Sequence, residues 1–62
     1  MEMSYYKIGD RVKVIQVPAD NKDVAVGDEG NMVNLISAHL YRIKFDDGST
    51  SDLKAHQFEK IR

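Results

Sequence analysis

Cysteine is missing from this chain of 62 residues, so neither a disulfide nor a thiolate zinc site can brace it. Its absence fits a reducing compartment. Long apolar runs are missing too. The longest is Val24, Ala25 and Val26, far short of the roughly 18 residues needed to cross a bilayer as a helix. The first residues carry Glu2, Lys7, Gly9 and Asp10, where a secretory signal needs an apolar stretch of about 7–15. The expectation is a cytoplasmic protein with no membrane contact. Nor does one sign of charge dominate. Nine Lys and Arg face ten Asp and Glu, for a net charge of -1. A domain devoted to holding phosphate backbones has a pI above about 9, and this chain's is about 6.0.

No linker, repeat or low-complexity stretch divides the chain, which implies a single domain over residues 1–62. A chain of about 60 residues buries only roughly 60% of its unfolded surface. Its core then supplies only about 3–5 kcal/mol of net stability.

What is present is a series of short strand signals. From residue 11 to 17, Arg11 and Lys13 alternate with Val12 and Val14, and Ile15, Gln16 and Val17 follow. Period two with β-branching marks a strand with one face buried. Pro18 ends it, because proline cannot donate to a sheet ladder. Residues 19–23 read as a polar loop.

Gly27 and Gly30 bracket Asp28 and Glu29, and a second strand is expected from Asn31 to about Ser37. There Val33 and Leu35 are placed inward, and Met32, Asn34 and Ile36 on the opposite face. Apolar residues 32, 35, 36 and 40 also have helical spacing, so a helix over residues 32–41 is the rival assignment. Tyr41, Ile43 and Phe45 alternate with Arg42 and Lys44, the clearest strand signal in the chain. Asp46, Asp47 and Gly48 then supply a hairpin turn. Residues 49–53 read as the returning edge strand. Asp52 is a candidate cap for one helical turn over residues 54–57. Phe58 and Ile61 are the expected buried members of the last strand.

This order, with Gly9, Asp10, Arg11, Val12, Lys13 and Val14 at its start, resembles SH3-like small β-barrels, including the bacterial and ribosomal KOW type. Gly27, Asp28, Glu29 and Gly30 resemble their second glycine turn. Phe45 to Gly48, followed by Phe58, Glu59, Lys60 and Ile61, resembles their closing hairpin and last strand. The likeness covers about residues 8–62 and implies an all-β fold, a five-stranded SH3-like barrel with one short helical turn before the last strand. The plasmid-encoded, trimethoprim-resistant dihydrofolate reductases share this barrel type. Their active pore uses a Val-Gln-Ile-Tyr segment, and Thr50, Ser51, Asp52 and Leu53 stand there instead. The active-site residues of that family are therefore not carried over.

Chemistry has little to work with. His39 and His56 are the only histidines, 17 positions apart, where zinc needs three or four ligands. Ser37 lies near His39 without a nucleophile turn or a third, orienting group. Asp46 and Asp47 are read as hairpin residues bonding their own backbone. Residues 27–30 lack the lysine and following Ser or Thr of a phosphate loop. The expectation is no enzyme, no catalytic residue, no cofactor and no metal.

Binding surfaces are better represented. With the alternating valines and aromatics inward, Arg11, Lys13, Arg42 and Lys44 face out as a candidate basic stripe for phosphate. The rival account is solvated strand faces neutralised by Asp10, Glu29 or Asp52. Of Tyr5 and Tyr6, one is expected to cover an end of the barrel and the other to be an exposed aromatic. Met32 and Ile36 form the third candidate, on a second apolar strand face that must meet something outside a barrel's single interior. Unpaired strand edges leave room for a homo-oligomer. The expected function is a non-catalytic interaction module binding a protein partner. The alternative is a nucleic-acid-binding module of KOW or Tudor-like type using the basic strand face, with nucleic acid a weak ligand.

Overall fold

Strict alternation over residues 11–14 sends both valines to the interior, where neither Val12 nor Val14 retains any exposed surface. The computed structural model describes residues 6–17, 19 and 23–61. Within them run β1 (Arg11–Val14), β2 (Glu29–Leu35), β3 (Leu40–Phe45), β4 (Thr50–Lys54), a 3-10 turn (Ala55–Gln57) and β5 (Phe58–Lys60). All pairings are antiparallel, in the sheet order β4-β3-β2-β1-β5. The expected all-β layout, with a 3-10 turn before the last strand, is therefore present. The rival helix over residues 32–41 does not form: residues 32–35 end β2, residues 40–41 begin β3, and residues 36–39 connect them.

One apolar cluster joins the strands: Val12 and Val14 from β1, Met32 from β2, Ile43 and Phe45 from β3, Leu53 from β4 and Phe58 from β5, with Val24 from the intervening loop. Complete burial of such a side chain is worth about 1.5–3 kcal/mol each. Tyr6 and Tyr41 pack against the cluster from its margin. Tyr5, Pro18 and most of the polar loop lie outside the described residues.

The turn after β3 uses its glycine as composition suggests. Phe45 N–H donates to the Ser49 carbonyl at 2.7 Å, and Gly48, at φ 93°, donates to the Phe45 carbonyl at 2.9 Å. Among the described residues only glycines take positive φ, so Asp46 and Asp47 remain in ordinary conformations and Gly48 alone supplies the left-handed position. That is a three-residue loop rather than a two-residue primed turn. Asp47 Oδ1 closes it by accepting from the Ser49 backbone N–H at 2.9 Å and its hydroxyl at 2.7 Å.

Four expectations need correction. The first concerns the face of β2. The strand starts at Glu29, two residues earlier than expected, and its inward members are Gly30 and Met32. Gly30 lies opposite Phe45 and Met32 opposite Ile43, so the parity of β3 dictates that of β2. A bulge then inserts Val33 between Met32 and Asn34. Val33 and Leu35 consequently stay 39% and 47% exposed, while Met32 is fully buried and unavailable to a partner.

Second, β1 ends at Val14, not Val17. The backbone N–H groups of Ile15 and Gln16 both turn to the Gln57 carbonyl, at 2.9 and 3.2 Å. Third, Asp52 caps nothing, because the turn starts too late for it. Instead the buried Gln57 reaches back and its Oε1 accepts from the Lys54 N–H at 2.8 Å. Fourth, Ile61 follows β5 and is only half-buried.

Candidate functional site

The outward residues of β1 and β3 do share one sheet face. Arg11 lies opposite Asn31, and Asn31 lies opposite Lys44. Lys13 lies between Glu29 on one neighbour and Glu59 on the other. Arg42 lies between Asn34 and Asp52. Acids are thus interleaved with the cations, and two of the four cations are committed to them.

Arg11 makes a two-pronged contact with Asp46, Nη1 to Oδ1 at 2.7 Å and Nη2 to Oδ2 at 2.6 Å. The same guanidinium donates to Glu29 at 3.3 Å and to Asn31 at 3.1 Å. Arg42 donates to both carboxylate oxygens of Asp52, at 2.9 and 3.3 Å. Forked pairing of this kind fixes orientation as well as charge. Lys60 reaches Asp10 at 3.7 Å. Among the described residues, the ion pairs involve neither Lys13 nor Lys44. The candidate basic stripe is therefore a mixed-charge surface with two lysines to spare.

The hydrogen bond from Arg11, reinforced by its charge, holds the Asp46 carboxyl below its ordinary range. A carboxylate whose pKa is depressed in the folded state stabilises folding above its unfolded pKa, and loses that contribution as pH falls through the folded one. Asp46→Asn should therefore be less stable than the wild type at neutral pH. The gap should close under acid conditions. Urea midpoints for both proteins from neutral to strongly acidic pH check this, and equal midpoints at neutral pH would remove Arg11–Asp46 from the stabilising contacts. Exposed pairs contribute modestly, and high salt should shrink the gap.

At the far end of β2, three large apolar side chains stand in solvent: Val33, Leu35 and Ile36, the last 39% exposed. Only Ile36 was among the residues expected to bind. Val33 and Leu35 were missed, although a signal for them exists. Met32 and Val33 are adjacent, as are Leu35 and Ile36, and neighbours in a strand point to opposite faces. Each pair must leave at least one member outside, and at the end of β2 both Leu35 and Ile36 stay out.

Near Leu35, across the ladder, Tyr41 joins Tyr6 and Phe58 in a three-ring cluster. Ring centres are 5.0–5.6 Å apart, and every pair is edge-to-face. Tyr6 thus packs against the core cluster. The rings spend their faces on one another rather than framing an open cage.

Strand edges are partly blunted. Leu35 N–H is occupied by the Asn34 side chain at 2.8 Å, and Lys54 N–H by Gln57. Such side-chain cover reduces the ladder groups offered to another chain.

An open groove of about 340 Å³ is lined by Gly27, Asp28, Glu29, Phe45, Asp46 and Asp47. Its carboxylates are already used. Asp28 accepts from the Ala25 N–H at 2.9 Å, Asp47 from Ser49, and Glu29 and Asp46 from Arg11. The Ser49 bonds likewise hold the Asp47 carboxyl below its ordinary value. Among the described residues no three His, Asp or Glu are placed to hold a metal ion. His39 and His56 are exposed, one in the β2–β3 connection and the other in the 3-10 turn.

Known proteins were compared at three levels: family models, curated proteins and solved structures. None matches this chain.

Proposed function

We propose that this domain is an SH3-like barrel acting as a non-catalytic interaction module, and that it binds a protein partner through the apolar end of β2. The carrying observation is the cluster of Val33, Leu35 and Ile36, all more than a third exposed within four residues. Apolar area left in water costs free energy that a protein partner would recover by covering it. The barrel assignment is supported by the strand order, the 3-10 turn and the single core drawn from all five strands.

The test is capture of partners on immobilised domain, comparing wild type with the double variant Leu35→Ser, Ile36→Ser. Both positions are exposed, so stability should change by only about 0.5 kcal/mol per site. The expected result is loss of a specifically captured protein by this variant and its retention by Lys13→Ala, Lys44→Ala. The opposite pattern would overturn the assignment in favour of the basic face.

Nucleic acid is expected to be a weak ligand. With Arg11 and Arg42 paired, Lys13 and Lys44 remain, so log K against log salt should have a slope no steeper than about -2 on duplex DNA. Titrations with duplex DNA and single-stranded RNA at several salt concentrations measure it. Micromolar binding that survives physiological salt would put the nucleic-acid module first.

A further inference from the structure

No further inference is drawn: the strongest candidate, the open acidic groove between residues 27–29 and the β3–β4 turn, carries nothing, because its carboxylates are engaged by Arg11, Ala25 and Ser49 and no second observation there points to a ligand.

Discussion

Phe58→Ala is expected to leave the domain largely unfolded at room temperature. Phe58, at the start of β5, is only 2% exposed and is the third ring against Tyr6 and Tyr41. Truncating a buried phenylalanine removes its transfer free energy and leaves a cavity, for about 3–5 kcal/mol together. A core of this size supplies about the same total. Two edge-to-face contacts are lost as well, each worth about 0.5–1.5 kcal/mol beyond area. β5 has only three residues and pairs with β1 alone, so little else holds it in place. Phe58→Leu, which refills most of the space, should remain folded with a lowered urea midpoint. Circular dichroism during urea titration reads both variants. A Phe58→Ala midpoint near that of the wild type would mean the ring cluster contributes little.

Gly30→Ala is expected to cost more than Gly48→Ala, although Gly48 has the less ordinary backbone. At Gly30 an added Cβ would run into the Lys44 carbonyl oxygen and sit 2.8 Å from the Phe45 Cα and 2.9 Å from the Lys44 carbonyl carbon. All three are backbone atoms of the neighbouring strand and cannot rotate aside. Overpacking typically costs about 1–3 kcal/mol, and here relief requires β2 to move off β3 along its best-paired stretch. At Gly48 a Cβ meets nothing within 4 Å, and the penalty is the left-handed φ of 93°, about 1–2 kcal/mol. Urea midpoints of the two variants decide the order. If Gly48→Ala is the more damaging, β2 and β3 do not approach as closely at Gly30 as described.

Phe58 and Gly30 differ in how far the local sequence pattern specifies them. Phe58 was expected to be buried on alternation alone, as were Val12, Val14, Ile43 and Phe45, and all are. In the sequence Gly30 reads as part of a glycine turn. It lies at an inward position of β2, opposite Phe45, and a glycine there leaves no hydrophobic mark in the pattern. With that position unmarked, Met32 and Val33 were equivalent to any periodicity argument, and the wrong one was placed inside.

The candidate site divides along the same line. Arg11, Lys13, Arg42 and Lys44 were correctly placed on outward strand positions, because a period of two is a local property of the chain. Which acids they meet is not local. Asp46 lies 35 residues from Arg11, and Asp52 reaches Arg42 only through the β3–β4 hairpin. Sequence by itself determined the all-β class, the hairpin at Gly48 and the 3-10 turn before the last strand. Tertiary structure decided the parity of β2, the burial of Met32, the exposure of Val33 and Leu35, and the neutralisation of Arg11 and Arg42. The physical reason is that strand periodicity follows from each residue's own backbone geometry. Register and charge pairing depend on which strand comes to lie alongside, and that is set by the packing of the whole core.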